Sequence, residues 1–304
     1  MSLLETSLCG IVLKNPVLAA SGTFGYGLEF AEQVDLNALG GFVVKGLSRE
    51  PIEGNQPPRI HETEAGMINS IGLQNIGVRA FVERKLPALA KLNTAVFANV
   101  FGNRTGDYVE VIRMLEEHEG LAGYELNVSC PNTAHGGIYF SSDPALLAEV
   151  TLAAKQAARR RPVIVKLSPN VSAIEPLARA AEDAGADAIS LVNTFISLAI
   201  DPHTRRPRIG AGFGGLSGPA IKPIALRMVF QAARAVKIPV VGLGGIATGT
   251  DAAEFLIAGA TAVEVGTATF WDPRSPLRIA RELGRFLKRE GVAKVRDLVG
   301  SLKL

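Results

Sequence analysis

Two lysines close short apolar runs in this chain: Lys45 ends Phe-Val-Val-Lys and Lys166 ends Val-Ile-Val-Lys. A buried ammonium is costly unless an anion or dipole lies nearby. Each lysine therefore reads in one of two ways. It is half of a buried pair with a strand carboxylate such as Glu125 or Glu264, or it is a cation beside a ring that gains negative charge on reduction. The segment Asn127-Val-Ser-Cys-Pro-Asn132 adds a thiol, Cys130, in a polar stretch close to Gly136-Gly137. A thiol placed there could act as a base or a nucleophile, although a lone cysteine also serves as a small apolar residue. Cys9 lacks that context and reads as structural. Glycines supply a third chemistry. Gly242-Leu-Gly-Gly-Ile-Ala-Thr-Gly249 follows an apolar run and precedes a helical pattern, and Gly266-Thr267 follows another apolar run. Backbone N–H groups in such a place bind phosphate without a side chain. The first run fits a loose dinucleotide pattern, but that pattern belongs to a first strand–helix unit with an acidic residue about 20 positions on. A mononucleotide phosphate is the reading, and plain turn glycines are the alternative. His61, His118, His135 and His203 are scattered, and no spacing resembles a metal-ligand set.

Such residues act together only if the fold gathers them. Short apolar runs fall at Pro16–Ala20, Gly41–Lys45, Ala95–Val100, Gly123–Val128, Pro162–Leu167, Ala188–Val192, Pro239–Leu243 and Ala262–Val265. Near-continuous hydrophobicity over four to six residues marks parallel strands buried on both faces. Amphipathic stretches lie between them, among them Asp107–Glu117, Pro144–Arg159, Ile174–Ala184, Ile221–Ala235 and Ala252–Ile257. Asp143, Ser172 and Thr250-Asp251 read as helix caps, and Gly185 and Gly259 as helix ends. Eight alternations predict a (β/α)8 TIM barrel, with a doubly wound open sheet as the alternative. One domain over residues 1–304 is expected.

The strand exits then carry Ser21-Gly22, Lys45-Gly46, Asn99, Asn127, Lys166, Asn193-Thr194, Gly244-Gly245 and Gly266-Thr267. Lysines, amides and glycines with almost no carboxylates suit a planar, hydrogen-bonding ligand with an anionic tail. Two connections, Gly46–Ile76 and Asn193–Gly218, are too long for simple crossovers and lie on the exit face, where barrels build active sites. Gly212–Gly218 reads as a flexible loop. Leu3–Leu13 alternates around Gly10 and predicts a hairpin closing the barrel floor.

Composition narrows the class. The 304 residues are 47% apolar and 20% charged, with a net charge of +3. Disorder and collagen-like repeats are excluded, and no apolar stretch is long enough for a spanning helix. Neither a secretory signal nor a basic tract for nucleic acid is visible, so a cytoplasmic location is expected. Two cysteines cannot supply the four thiolates of an iron–sulfur cluster.

Several segments together resemble the family-1 dihydroorotate dehydrogenases. They are Asn69-Ser-Ile-Gly-Leu-Gln-Asn75, Asn127-Val-Ser-Cys-Pro-Asn132, Asn193-Thr194, Gly215-Leu-Ser-Gly-Pro-Ala-Ile-Lys-Pro223 and Gly242–Gly249, in order from about Leu8 to Leu287. Gly-Leu-Gln-Asn together with Ile-Lys-Pro-Ile-Ala-Leu-Arg-Met resembles the NAD-linked type. Quinone-linked relatives carry an N-terminal hydrophobic extension and a serine at the cysteine position, and this chain shows neither. Ile76 departs from the pattern, since proline is common after Gln-Asn.

The resemblance implies FMN across the barrel mouth, with its phosphate on Gly244, Gly245, Gly266 and Thr267 and help from Gly218. The ring would contact Ser21, Lys45, Gly46, Asn99, Asn127, Lys166 and Val192. Dihydroorotate would be held by Lys45, by Asn69, Ser70, Ile71, Gly72 and Leu73, and by Asn127, Asn132, Asn193 and Thr194. Cys130 would take the C5 proton. The NAD-linked type further implies a homodimer within a heterotetramer, whose electron-transfer subunit carries FAD and an iron–sulfur cluster. Other readings are an FMN-barrel reductase of the dihydropyrimidine or dihydrouridine type, or a non-catalytic phosphate-binding barrel.

Overall fold

Each β-branched run becomes a strand of one closed parallel barrel in the computed structural model, which describes residues 2–129, 131–132 and 138–304. In chain order the barrel strands are β1 (Val17–Ala19), β2 (Gly41–Leu47), β3 (Ala95–Val100), β4 (Gly123–Asn127), β5 (Val163–Lys166), β6 (Ala188–Leu191), β7 (Val240–Leu243) and β8 (Ala262–Val265). Each pairs in parallel with its sequence neighbours, and β8 returns to β1. This closure selects the TIM barrel over the open sheet.

Side-chain alternation along the strands separates two cores. Outward residues such as Phe42, Leu126, Val165 and Ile189 pack with helix residues including Leu115, Val150, Leu177 and Leu283. Inward, Leu18, Val43, Phe97, Ile164, Ala188, Val241 and Ala262 form an apolar layer near the closed end. Two residues further along the same strands stand Ala20, Lys45, Asn99, Lys166, Ser190, Leu243 and Glu264. The polar floor of the open end thus lies one side-chain layer above an apolar one.

The predicted N-terminal hairpin is present: Thr6–Leu8 pairs antiparallel with Ile11–Leu13. Its Leu8 and Leu13 complete the apolar inner layer and plug the barrel. The principal helices include Thr105–Glu116, Pro144–Ala157, Glu175–Asp183, Lys222–Ala235, Gly249–Ile257 and Ser275–Arg289. Asp143 caps its helix as expected, accepting from Ala145 N at 2.7 Å and Leu146 N at 3.1 Å. Two cap assignments change. The helix after β5 starts behind Ile174 with no side-chain cap, so Ser172 plays no such part. The helix after β7 is capped by Thr248 in a reciprocal box with Asp251, and Thr250 lies inside it.

Parts of the two long connections are regular. Ile60–Thr63 and Gly66–Asn69 from the first join Phe195–Ser197 and Gly214–Ser217 from the second in one four-stranded antiparallel sheet. Much of Gly212–Gly218, expected to be a flexible loop, is therefore a strand. Pairing between segments about 150 residues apart is invisible to local pattern, because each strand is only four residues long.

Candidate active site

Neighbouring strands present their ends in register, and this sets the site. Lys166 pairs with Asn127 of β4 and Ser190 of β6, while Asn99 of β3 pairs with Glu125. Inside the barrel, Lys166 Nζ donates to Glu125 Oε1 and Glu264 Oε2, each at 3.3 Å, and reaches Ser21 Oγ at 3.5 Å. Asn99 Nδ2 and Ser190 Oγ donate to the two oxygens of Glu125 at 2.7 and 2.9 Å. Burial alone would depress the Lys166 ammonium, but the two carboxylates outweigh it and hold it above the ordinary lysine value. The two sequence readings of Lys166 meet here. It is ion-paired with both glutamates, and it also lines the cavity above them.

Lys45 differs. It is half-buried two residues before the end of β2 and makes no ion pair among the described residues. Burial first, then the charge of Arg59, lowers its pKa. Arg59 itself is steered by Gln74, whose Oε1 accepts its NH1 at 2.8 Å.

The antiparallel sheet lowers Asn69–Gln74 onto the cavity. Asn69 Nδ2 donates to Gly215 O at 3.3 Å, and Ser70 Oγ accepts from Asn55 Nδ2 at 2.7 Å. Gly72 has φ +73°, and a Cβ there would lie 2.4 Å from Asn55 N, so only glycine fits this turn. Ile76 N donates to the Tyr26 hydroxyl at 3.2 Å, a bond that proline could not make.

Across the cavity, Asn193 Nδ2 donates to Ser129 Oγ at 3.0 Å and Asn127 Oδ1 at 3.3 Å, and its own Oδ1 accepts Thr194 N at 2.8 Å. Tyr108 Oη donates to Asn127 O at 2.8 Å. These bonds fix the root of the segment bearing the candidate thiol. Cys130 itself lies outside the described residues, as does the side chain of Asn132. The backbone of Pro131–Asn132 pairs with Ile138–Tyr139. At the closed end Cys9 Sγ donates to Asp187 O at 3.3 Å, and burial, then the Asp187 carboxylate, pushes its thiol up to about 12. Such a thiol stays protonated, as a structural cysteine should.

The glycine turns complete the wall. Gly245 has φ +81°, and a Cβ there would come within 2.7–2.9 Å of Lys222 and Gly218 O. Backbone therefore approaches backbone too closely for any side chain. The N-terminus of the following helix is already closed: Ala247 N and Thr248 N donate to Asp251 at 2.9 and 2.8 Å, and Gly249 N to Glu282 at 2.8 Å. An anion here would use the Gly244-Gly245 turn and Gly266-Thr267, where Thr267 Oγ1 donates to Ser217 Oγ at 2.8 Å.

One cavity of about 710 Å³ collects these groups. Ser21, Lys45, Gly46, Asn69 to Leu73, Asn99, Asn127, Lys166, Val192, Asn193, Thr194, Gly218, Gly244, Gly245, Gly266 and Thr267 all border it. Sequence reasoning passed over Phe270 and Trp271, which are about half-exposed at the rim. It also left the joint role of Glu125 and Glu264 open. A signal was present, since each is a lone carboxylate in an otherwise apolar strand. The cavity fits an elongated ligand: a ring over the lysines and amides, with an anionic group at the glycine turns.

The sequence model of the family described as dihydroorotate dehydrogenase matches residues 3–287. A Solibacter usitatus protein provisionally named dihydroorotate dehydrogenase A (fumarate) is 81% identical over 99% of this chain and 98% of its own. Proteins named dihydroorotate dehydrogenase B (NAD(+)), catalytic subunit, are 54% identical in Geobacter sulfurreducens and 52% in Pelobacter propionicus, with the same coverage of both chains. By sequence and by fold, the chain belongs to the dihydroorotate dehydrogenase family.

Proposed function

We propose that the chain oxidises (S)-dihydroorotate to orotate, a step of pyrimidine biosynthesis, with FMN in the barrel mouth and Cys130 as the base. The observation that carries this is the convergence of the Asn69–Leu73 turn, Asn127, Asn193-Thr194, both lysines and the glycine turns on one cavity. FMN, when bound, supplies the acceptor for the C6 hydride. The glycine turns and Thr267 hold its phosphate, and Ser21, Gly46, Asn99, Lys166 and Val192 hold its ring. Lys45 meets the substrate carboxylate. Amides suit the dione edge because each offers a donor and an acceptor. The Asn193–Ser129 bond sets the base of the loop that carries Cys130, and Cys130 Sγ takes the C5 proton.

The expected electron acceptor is NAD, reached through a partner subunit bearing FAD and an iron–sulfur cluster, with this chain as a dimer within a heterotetramer. The names of the B-type relatives support NAD and a second subunit, and the two cysteines of this chain are too few to hold a cluster themselves. The name of the Solibacter relative favours fumarate as a second reading. No helix among the described residues is long and apolar enough to cross a membrane.

The test is anaerobic stopped-flow spectroscopy. The purified chain should be yellow and should bleach with dihydroorotate. Cys130→Ala should bind orotate yet bleach about 10²–10⁴-fold more slowly, the usual worth of a general base. The parent rate should rise with pH as the thiol ionises, and Cys9→Ala should leave it unchanged. Equal bleaching by Cys130→Ala would place the base elsewhere. Reoxidation of the bleached chain by fumarate alone would select the second acceptor; slow reoxidation by NAD until a partner is added supports the first.

A further inference from the structure

Directly beneath the cavity, three charged side chains share a space closed to solvent. Glu125, Lys166 and Glu264 are 0%, 7% and 1% exposed, and only Lys166 reaches the cavity. The charges do not cancel, because two carboxylates face one ammonium. A net charge left in a barrel interior costs several kcal/mol, and two carboxylates confined to one site do not both ionise. Their surroundings are unequal. Glu125 accepts from Asn99, Ser190 and Lys166, whereas Glu264 accepts from Lys166 and meets Glu125. The charges acting on Glu264 are those of Glu125 from β4 and Lys166 from β5, and those acting on Glu125 are Lys166 and Glu264. The strands flanking β8 set Leu18 and Leu243 beside Glu264 in register. The carboxylate with more donors keeps its charge; the other is the one to hold a proton.

We propose that Glu264 carries a proton, shared with Glu125, at neutral pH, and that the two glutamates are positioning residues that hold Lys166 at the cavity floor with its charge balanced from beneath. The direction of the shifts agrees: burial and the Glu125 charge raise Glu264, while Lys166 and the neutral donors outweigh burial to lower Glu125. The consequence for a ring above Lys166 rests on the FMN reading. When Glu264 loses its proton in the alkaline range, a second negative charge appears behind Lys166, and a reduced ring becomes harder to form.

Two measurements test this separately. Isotope-edited infrared spectra of the apo chain with labelled glutamate should show a protonated carboxyl band at neutral pH that fades in the alkaline range and is missing in Glu264→Gln. Absence of the band from the parent, or its persistence in the variant, would overturn the proposal. The parent titration decides the point even if the variant does not fold. The second measurement is the midpoint potential of the FMN-loaded chain against pH. Glu264→Gln mimics the protonated acid, so it should match the parent near neutrality and lie above it at alkaline pH. Coincident curves at every pH would remove the positioning role. A chain that takes up no FMN would sink the cofactor reading and leave the infrared result standing.

Discussion

Lys45 and Lys166 follow almost the same apolar run, one within β2 and the other at the end of β5, yet the barrel treats them oppositely. Lys166 sits over two carboxylates and is held above the ordinary lysine pKa. Lys45 has no ion pair among the described residues, and burial with Arg59 nearby holds it below that value. One lysine is ion-paired within the protein, whereas the other has no ion pair among the described residues and borders the cavity. A paired and an unpaired lysine are thus told apart by what lies inside the barrel, because the apolar run before each is of the same kind.

The contrast breaks most visibly on truncation. Lys166→Met leaves the buried Glu125 carboxylate without its counter-ion and should destabilise the apo chain by about 3–5 kcal/mol in denaturant unfolding. An unchanged midpoint would mean that Glu125 and Glu264 do not depend on it. Lys45→Met should leave the fold intact and weaken orotate binding. Losing a charge-assisted hydrogen bond of about 1.5–3 kcal/mol corresponds to about 10–150-fold in Kd, which titration calorimetry on the FMN-loaded chain would read. Binding at parental affinity would assign the substrate carboxylate to another group.

pH sharpens the comparison through its sign. Lys166 binds its proton more tightly folded than unfolded, so its contribution is full below the ordinary lysine value and is lost as pH rises through its raised folded value. For Lys45 the unfolded chain binds the proton more tightly. Stability therefore rises with pH between the lowered folded value and the ordinary one. Alkaline unfolding curves of the parent and Lys45→Met should accordingly converge as pH rises toward the ordinary lysine value, since the parent loses its unfavourable charge. Curves that stay parallel would show that Lys45 is not strained by burial. The smallest effect follows at neutral pH, where Lys45→Met should raise Tm of the apo chain by about 1–2 °C. A fall in Tm would reveal a partner for this lysine.

The fold was largely legible because its signals are local. Eight buried runs, Asp143 as a cap and Gly10 in the hairpin each announce themselves within a few residues. The candidate site was legible in kind, since lysines, amides and glycines at strand ends stand out against apolar runs. Caps were read less well, because Ser172 and Thr250 are as suitable in type as the Thr248 that backbone geometry selects. The flap sheet was not legible at all, since Gly215 pairs with Asn69 across 146 residues and neither strand carries a clear pattern.

By itself the sequence determined which residue types would stand at the open end of the barrel, since period-two alternation and strand length fix every second side chain inward. Only the tertiary structure decided which of them meet. Glu125, Lys166 and Glu264 come from three different strands, and their contact depends on barrel closure bringing β8 across from β4 and β5. Charge pairing is a matter of a few ångströms, and that distance is set by the packing of the whole barrel rather than by any stretch of its chain.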